Sequence, residues 1–444
     1  MSIFKAYDIR GIYPEQLNET LAYNIGRAFV TFTNAKQVVV GYDARLSSES
    51  IFEAVTKGMI DQGANVVNIG LTSTPMFNFT HAHFGYQTGV MVTASHNPKE
   101  YNGFKMNVEG ATPLTGDSGI KDIEKLALLG EFVDVKIKGT ISEKDHLDEY
   151  VDFMVGLVKR DLSTLKVVVD ASSGAVGNIC KKVFKKLHIN YIPLNFEPDG
   201  NFPSHDPNPL KGDSQKQAQN AVKAEGADLG CLFDADADRI IFVDETGTTI
   251  QPDFVAALVA KKALKDSPGD KVLYDCISSR IIPKTIKDNG GIPIVVRVGR
   301  SYIYLAAKQN DVIFGAEASS HYYHREVYHG DNGVLTLLKL MELLVDEQKP
   351  VSELVKPYQI YVHSGEVNLE VESNEIKDAK IAEITEKFSD GEQSTLDGIG
   401  VIYDDVWFNV RKSNTEPVLR LRIEGKTKEA MEDMKNKLLD IVNG

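Results

Sequence analysis

A chain of 444 residues is too long for a single hydrophobic core, so several domains are expected. The hydrophobic content of 42% is ordinary for a compact globular protein, no apolar run approaches the roughly 18 residues that span a bilayer, and a net charge of −14 argues against a general nucleic-acid-binding protein. The N-terminal residues lack the apolar core of a signal peptide, and Cys180, Cys231 and Cys276 are widely spaced, so we expect reduced thiols and a cytoplasmic location.

A strand–helix–strand pattern recurs along the first part of the chain. Its strands begin with apolar, β-branched runs that each end in an acidic residue, at 37–43, 166–170 and 271–275. Continuous apolar runs of this length are typical of strands that are buried on both faces of a parallel sheet. The pattern therefore predicts three related α/β domains with mixed, largely parallel sheets.

The last part of the chain has a different pattern. Residues 365–371 and 419–424 alternate between apolar and polar side chains, as strands with one exposed face do, and a final helix is expected over 428–442. These elements predict a small C-terminal α+β domain. The expected domains, which we place around a central cleft, are residues 1–140, 141–247, 248–357 and 358–444.

The segment at residues 93–98 follows an apolar, strand-like run and contains Ser95 and His96. Pro98 forces the preceding residue out of the helical region, so the chain turns here, at the kind of strand end where α/β enzymes place reacting groups. Ser95 is therefore a candidate nucleophile or phosphoryl carrier, and the alternative is a capping residue in an ordinary loop. We expect Ser95 and His96 to point apart, as neighbours in an extended segment do, which argues against a proteolytic Ser–His pair. An Asn-Gly turn at 102–103 could return Lys105 toward the serine.

The loop at residues 234–239 reads Asp-Ala-Asp-Ala-Asp-Arg and lies between two apolar runs. Three carboxylates this close together repel one another unless a cation is present, and Mg²⁺ prefers such oxygen ligands. The alternative is an acidic surface turn. An EF-hand is excluded because Arg239 occupies the position of its required glycine, and because the strand that follows would carry Glu245 away from the aspartates.

Two further polar loops follow later in the chain. The loop at residues 315–321 offers a carboxylate, hydroxyls and an imidazole, which can bind sugar hydroxyls; a polar loop without a ligand is the alternative. The loop at 411–417 combines hydroxyl and amide side chains with arginines at its start and on the next strand. This composition suits a phosphate that is not transferred, and a charged hairpin loop is the alternative.

Taken together and in this order, these stretches resemble the α-D-phosphohexomutase family over essentially the whole chain. Residues 5–11, Lys-Ala-Tyr-Asp-Ile-Arg-Gly, and residues 97–103, Asn-Pro-Lys-Glu-Tyr-Asn-Gly, are similar to its phosphomannomutase/phosphoglucomutase branch. The resemblance implies an isomerase of carbohydrate metabolism that interconverts hexose 6-phosphate and hexose 1-phosphate of mannose, glucose or both, through a phosphoserine and a bisphosphorylated sugar. It implies a small phosphosugar as partner, no nucleic acid or membrane, and a monomer or homodimer.

The resemblance also implies a role for each site residue. A hexose 1,6-bisphosphate would serve as intermediate and activator. The residues implied in holding one Mg²⁺ per chain are Ser95, through its phosphate, and Asp234, Asp236 and Asp238. The residues implied in catalysis are Ser95, His96, Lys105, Arg10 and Arg239. The residues implied in substrate binding are Glu317, Ser319, His321, Arg411, Ser413, Asn414, Thr415 and Arg420.

Some positions depart from the family pattern. Ser320 stands where a glycine is common in the sugar-binding loop, and Ile277 and Arg300 stand near places where the family often has lysine and histidine. His321 or His329 could supply a proton-transfer group instead. These departures keep a second hypothesis open, which is a phosphosugar phosphatase or a regulatory sugar-phosphate-binding protein on the same scaffold.

Overall fold

The fold consists of four sheets with helices packed against them. A computed structural model describes residues 2–371, 373–413 and 418–443, and within these ranges the sheets have seven, five, five and five strands. The first three sheets are mixed and the last is antiparallel, which confirms the fold class that the sequence predicts. No helix in the described ranges is both long and apolar enough to cross a membrane.

The first sheet belongs to the N-terminal part of the chain. Its parallel strands are β2, β3, β4 and β7, whereas β5 runs antiparallel to β1, β4 and β6. The elements are β1 (Ile9–Ile12), α1 (Glu19–Thr33), β2 (Gln37–Tyr42), α2 (Ser48–Asp61), β3 (Asn65–Leu71), α3 (Thr74–His83), β4 (Thr88–Val92), β5 (Tyr101–Val108), β6 (Thr112–Pro113), α4 (Lys121–Leu129) and β7 (Ile141–Glu143).

The second sheet has the strand order β12-β11-β10-β8-β9. Strand β8 is parallel to β9 and β10, and β11 is antiparallel to β10 and β12. The elements are α5 (Leu147–Gly156), β8 (Lys166–Asp170), α6 (Val176–Lys186), β9 (Asn190–Leu194), α7 (Gly212–Glu225), β10 (Leu229–Phe233), β11 (Ile240–Asp244) and β12 (Thr249–Ile250).

The third sheet has the order β14-β13-β15-β16-β17 and repeats this arrangement. Strand β13 is parallel to β14 and β15, and β16 is antiparallel to β15 and β17. The elements are α8 (Pro252–Asp266), β13 (Lys271–Asp275), α9 (Ile281–Asp288), β14 (Ile292–Val296), α10 (Arg300–Asn310), β15 (Phe314–Ala316), β16 (Tyr322–His324), β17 (Gly330–Asp331), α11 (Gly333–Glu347) and α12 (Val351–Val355).

The C-terminal sheet is antiparallel throughout, with the order β18-β22-β21-β20-β19. Polar contacts hold it against the third sheet, because Arg422 pairs with the buried Asp253 and the main-chain N–H of Arg280 donates to Glu424 Oε2 at 2.9 Å. The elements are β18 (Val362–Glu370), α13 (Asn374–Lys387), β19 (Glu392–Ser394), β20 (Ile399–Ile402), β21 (Val406–Lys412), β22 (Val418–Gly425) and α14 (Lys428–Asn443).

The cores explain which sheets form one unit. A single hydrophobic core joins the second and third sheets, with Val169 from one and Phe314 from the other, and Phe79 of α3 packs into it. The first sheet has a second core, and the C-terminal domain has its own around Phe408 and Leu421. The C-terminal domain is thus attached mainly through charged and hydrogen-bonded groups rather than through shared apolar packing.

The three mixed sheets share one connection that positions the site. In each sheet, one strand of the parallel part connects directly to an antiparallel neighbour. These connected pairs are β4 and β5, β10 and β11, and β15 and β16. The carboxyl ends of parallel strands are where open α/β sheets bind ligands. The connections at 93–100, 234–239 and 317–321 therefore occupy equivalent places in their sheets.

Helices α1 and α2 pack closely because each has a glycine at the crossing. A Cβ atom added to Gly26 would overlap the carbonyl oxygen of Val55, and one added to Gly58 would overlap that of Tyr23. The two backbones can approach this closely only where no side chain separates them.

We expect Gly58→Ala to lower the free energy of unfolding by at least about 1 kcal/mol, since the methyl group must push the two helices apart. Urea denaturation would measure the change. Gly212→Ala is the matched control, because Gly212 is the exposed first residue of α7 and an added Cβ there meets no atom within 4 Å. That control should change stability by less than about 0.5 kcal/mol. Equal stability of the two variants would contradict close helix packing.

Candidate active site

Ser95 lies in the turn after β4 with a left-handed backbone, at a φ of 50°. Its side chain is buried, and Oγ donates to Asp234 Oδ2 at 3.2 Å and lies 3.3 Å from His96 Nδ1. The expectation that Ser95 and His96 point apart is therefore wrong, because Ser95 is not extended. Burial, together with the charges of Arg239 and Arg10, holds the pKa of His96 well below its usual range, so a neutral imidazole faces the serine hydroxyl.

A single guanidinium holds the serine turn in shape. Nη2 of Arg45 donates to the carbonyl oxygens of Ser95 and Asn97 at 2.6 and 2.7 Å. Nη1 donates to those of Pro98 and Tyr101 at 2.7 and 3.1 Å. The Arg45 side chain has no exposed surface. Because its planar fork satisfies carbonyls all along the turn, Arg45 fixes the backbone that presents the Ser95 hydroxyl.

Asp43 and Thr93 support the same turn from the ends of β2 and β4. The Ser95 N–H donates to Thr93 Oγ1 at 2.9 Å, and that hydroxyl donates to Asp43 Oδ2 at 2.7 Å. Asp43 also accepts from Arg45 Nε at 3.1 Å. Sequence reasoning missed Asp43 and Arg45, although they form an Asp-x-Arg motif directly after a predicted strand. Only the pairing of β2 with β4 brings that motif beneath the serine.

The aspartate loop faces the serine from the second sheet. Asp234, Asp236 and Asp238 are each at most 1% exposed, and their oxygens lie within 4.8 Å of one another. Lys105 of β5 reaches this loop as the Asn-Gly turn suggested, and its Nζ lies 2.5 Å from Asp236 Oδ2 and 2.5 Å from Asp238 Oδ2. Thr74 Oγ1 donates to the same Asp236 oxygen at 2.6 Å. The cluster therefore joins the first two domains.

The charges around this loop suit a hard cation. Burial and repulsion by Asp238 and Asp236 raise the pKa of Asp234 well above its usual range. Burial acts in the same direction on Asp238, but Lys105, His321 and Arg300 together outweigh it and hold the pKa of Asp238 well below its usual range. Asp236 Oδ1 is buried and has no hydrogen-bond partner among the described residues. Uncompensated carboxylate oxygens that converge in this way fit a metal ion.

The third loop meets the aspartate loop through His321. His321 Nε2 lies 3.3 Å from Asp238 Oδ1 and 3.4 Å from Arg239 Nε. Ser319 Oγ donates to Glu317 Oε2 at 2.9 Å and lies 2.9 Å from His321 Nδ1. The structure thus brings Glu317, Ser319 and His321 together, where their polar atoms face the residues of the second sheet. A hydroxylated ligand placed here would meet both loops.

Asp275, at the end of β13, supports the third loop from behind. Its Oδ2 accepts the N–H of Ala318 at 3.0 Å, and Oδ1 accepts the hydroxyl of Ser278 at 2.7 Å. Burial and the nearby charge of Glu317 raise the pKa of Asp275 to about 6. This residue was also missed from the sequence, where it is visible only as the acidic end of a predicted strand.

Arg10 contacts the serine turn from β1. Its Nη1 donates to Asn97 Oδ1 at 2.6 Å, and its Nε donates to Asp8 Oδ2 at 2.7 Å. The Arg10 side chain is 22% exposed, so part of its guanidinium remains open to the cleft. The contact of Arg10 with a phosphate on Ser95 stays a prediction.

The C-terminal domain contributes the predicted phosphate loop. Arg411 Nη2 lies 3.4 Å from Glu366 Oε2, and Arg420 Nη1 lies 3.3 Å from Glu366 Oε1. Ser413 follows directly on β21. Glu366 therefore holds both arginines beside the loop. Two residues predicted to bind phosphate lie outside the described residues: Asn414 and Thr415.

Two positions that depart from the family pattern, Arg300 and Ser320, lie close to the site, whereas His329 does not. Arg300 forms a two-pronged pair with Asp331, and its Nε lies 3.7 Å from Asp238 Oδ2, so it reaches the aspartate loop. Ser320 adopts a left-handed φ of 69°, the conformation for which glycine is favoured. His329 lies 3.3 Å from the exposed Asp311, on the far side of β15, so His321 is the histidine that reaches the cluster.

Four consecutive segments of the chain match the four domains of one known protein family. Residues 1–133 match phosphoglucomutase/phosphomannomutase, alpha/beta/alpha domain I, and residues 146–247 match alpha/beta/alpha domain II. Residues 251–361 match alpha/beta/alpha domain III, and residues 366–441 match the C-terminal domain. Each of the four loops described above falls in a different matched region.

Similar proteins extend over the whole chain. A phosphomannomutase from Escherichia coli is 37% identical over 447 residues, which cover 98% of this chain and 97% of that protein. A phosphomannomutase from Methanocaldococcus jannaschii is 38% identical over 445 residues, with 98% and 97% coverage. The crystal structure of a phosphoglucomutase/phosphomannomutase family protein from Burkholderia thailandensis superimposes with a TM-score of 0.90 at 32% identity, covering 99% of this chain and 97% of that chain.

The dependence of the serine turn on Arg45 can be tested by substitution. We expect Arg45→Lys to lower the free energy of unfolding by at least about 2 kcal/mol, since an ammonium cannot reach all the buried carbonyls and leaves some unsatisfied. Chemical denaturation would measure the loss. Arg160→Lys is the matched control, because Arg160 is an exposed arginine that pairs with Asp346, and it should cost less than about 0.5 kcal/mol. Two variants of equal stability would show that the turn does not depend on the guanidinium.

Proposed function

Because the chain belongs to the phosphoglucomutase/phosphomannomutase family and is a phosphosugar mutase, we propose that it moves phosphate between the 1- and 6-positions of a hexose through a phosphoserine at Ser95. The observation that carries the proposal is the meeting of the buried Ser95 hydroxyl with the buried Asp234 carboxylate across two domains. A hydroxyl on a turn this tightly held is positioned for group transfer.

The proposed cycle begins with phosphate on Ser95 Oγ. The free hydroxyl of a hexose monophosphate attacks the phosphorus, the bond to Oγ breaks, and a bisphosphorylated sugar forms. After this sugar has turned over in the cleft, Oγ attacks the phosphorus of its other phosphate and the bond from that phosphorus to the sugar oxygen breaks. The proton of Oγ passes to that sugar oxygen, and the isomeric monophosphate leaves. Neutral His96, next to Oγ, is suited to accept the proton of the attacking hydroxyl. Lys105 and Arg239 offset the negative charge of the group in transit.

We further propose that Asp234, Asp236 and Asp238 hold Mg²⁺ together with an oxygen of the Ser95 phosphate. The buried, unpartnered oxygen of Asp236 and the raised pKa of Asp234 support a cation at this position. When bound, the metal would offset charge on the transferring phosphoryl group. The protein residues around it, above all Lys105, keep the remaining carboxylate charge balanced.

The other loops supply the substrate contacts in this proposal. Glu317, Ser319 and His321 would bind sugar hydroxyls, since they converge beside the aspartate loop. The phosphate that stays on the sugar would bind at the C-terminal loop. The residues proposed for that phosphate are Arg411, Ser413, Asn414, Thr415 and Arg420. We expect mannose and glucose phosphates as substrates, because the relatives described above are named phosphomannomutases and the matched family is described as phosphoglucomutase/phosphomannomutase.

The setting we propose is the cytoplasm, where the chain acts as a monomer or homodimer on small phosphosugars. The buried Cys180 and Cys231 are free thiols, as expected of a reducing compartment.

Removal of the proposed phosphoryl carrier gives the most direct test. We expect Ser95→Ala to lower kcat by at least about a thousandfold, because no other group can carry the phosphate. A coupled assay with mannose 1-phosphate and glucose 1-phosphate, Mg²⁺ and a trace of hexose bisphosphate would measure isomerisation, with phosphate release followed in parallel. Ser163→Ala, at an exposed serine, is the control. Isomerisation that survives in Ser95→Ala would contradict the proposal, and wild-type phosphate release without isomerisation would point to a phosphatase.

The metal site has a separate test. We expect Asp236→Asn to weaken Mg²⁺ binding by at least about tenfold, because one charged ligand oxygen is lost. Calorimetric titration with Mg²⁺ would measure binding without turnover, and the assay above would show whether activity falls in parallel. Asp213→Asn is the matched control, because Asp213 is exposed on α7 and pairs only with Lys216 among the described residues. Identical Mg²⁺ affinities in all three proteins would rule out a site at this loop.

A further inference from the structure

Arg297 lies at the edge of the third sheet that faces the cleft. It directly follows β14, and the parallel register pairs Asp275 of β13 with Val296 of β14. The N–H of Cys276 donates to the carbonyl oxygen of Val296 at 2.8 Å, so Arg297 and Ile277 leave neighbouring strands at the same edge. Ile277 brings no charge to this edge, whereas Arg297 brings a guanidinium.

The donors of Arg297 are uncommitted. Its Nε is buried without a hydrogen-bond partner, and within the described ranges Arg297 forms neither a hydrogen bond nor an ion pair. Its guanidinium instead stacks on the ring of Tyr302 at 4.3 Å, and that ring packs edge-on against Tyr7 at 5.7 Å. Stacking fixes the plane of a guanidinium and leaves its edge free to bind an anion.

Two other arginines around the cleft are held by carboxylates. Arg300 pairs with Asp331, and Arg422 pairs with Asp253. These pairs stabilise the arginines within the protein. A buried guanidinium nitrogen without a partner costs free energy unless a ligand satisfies it, and no carboxylate of the described residues takes that place at Arg297.

The C-terminal domain approaches Arg297 from the other side of the cleft. The N–H of Val298 donates to Asp397 Oδ2 at 3.2 Å, and Gly398, the next residue, packs against Arg411. Burial raises the pKa of Tyr7 to about 12, and the positive charges of Arg297 and Arg411 both oppose that shift. Both guanidinium groups are therefore near the Tyr7 phenol, one from each domain.

We propose that Arg297 binds the phosphate that stays on the sugar, from the third sheet, opposite Arg411 on the C-terminal domain. This assignment rests on the proposed function. It adds a phosphate-binding residue from the third sheet to those proposed in the C-terminal loop at 411–417. Guanidinium groups recognise phosphate with paired, planar hydrogen bonds. A phosphate dianion between the two guanidinium groups would attract both and so also draw the two domains together.

The test compares Arg297→Met, Arg297→Lys and Arg325→Met with the wild type. Methionine keeps the stacking contact on Tyr302 without the charge, and Arg325 is a surface arginine that pairs with Asp270. We expect Arg297→Met to raise the KM for glucose 1-phosphate, and the inhibition constant of inorganic phosphate, by about ten- to hundredfold, with kcat changed far less. Arg297→Lys should recover part of the loss, and Arg325→Met should match the wild type.

Direct titration keeps this test independent of turnover. Calorimetric binding of glucose 6-phosphate and of inorganic phosphate to each protein should weaken in Arg297→Met by the same factor as KM. Wild-type binding of both ligands in a folded Arg297→Met, confirmed by its denaturation midpoint, would overturn the assignment. A wild type that binds but does not isomerise would instead overturn the proposed function, and the effect of Arg297 on phosphate binding would still be measured.

Discussion

The rest of the site is arranged around the buried negative charge of one short loop. Asp234, Asp236 and Asp238 lie within six residues and are almost completely shielded from water, a state that is costly for carboxylates without nearby cations. The first domain contributes the positive charge of Lys105, which contacts Asp236 and Asp238. The third domain contributes Arg300, whose Nε lies 3.7 Å from Asp238 Oδ2, and His321, whose Nε2 lies 3.3 Å from Asp238 Oδ1. Charge balance at this loop therefore explains why three separate sheets meet at one place.

The equivalent connections in the three mixed sheets give this meeting its geometry. Each domain places its polar loop where a parallel strand passes into its antiparallel neighbour, so one supersecondary pattern presents in turn a serine hydroxyl, a set of carboxylates and the loop that holds Glu317, Ser319 and His321. The serine loop needs additional support because Ser95 has a left-handed backbone that a side chain rarely adopts. Arg45 supplies that support through the turn's own carbonyl groups. The strain at the serine is thus offset by buried hydrogen bonds behind it.

Much of the fold could be predicted from the sequence because its signals are local. The apolar run after Arg239 forms the strand β11, as expected. Glu245 lies beyond this strand and accepts hydrogen bonds from Ser352, so it is not a ligand beside the aspartates as an EF-hand would need. The relation of Ser95 to His96 could not be predicted, since it depends on one backbone angle that the residue types do not determine. Arg45 was missed for another reason: it acts across strands that are far apart in sequence, so its role depends on register.

The arginines of the C-terminal domain differ in how easily a ligand can displace their carboxylate partner. Asp253, which pairs with Arg422, is only 2% exposed, and its release would leave a charge in a poorly hydrated place. Glu366 is 39% exposed and is shared by Arg411 and Arg420. A phosphate dianion can replace Glu366 at modest cost because the released carboxylate returns to water. The half-exposed glutamate would therefore keep the arginines proposed to bind phosphate oriented between turnovers, whereas the buried pair would keep the domain attached as phosphate binds and leaves.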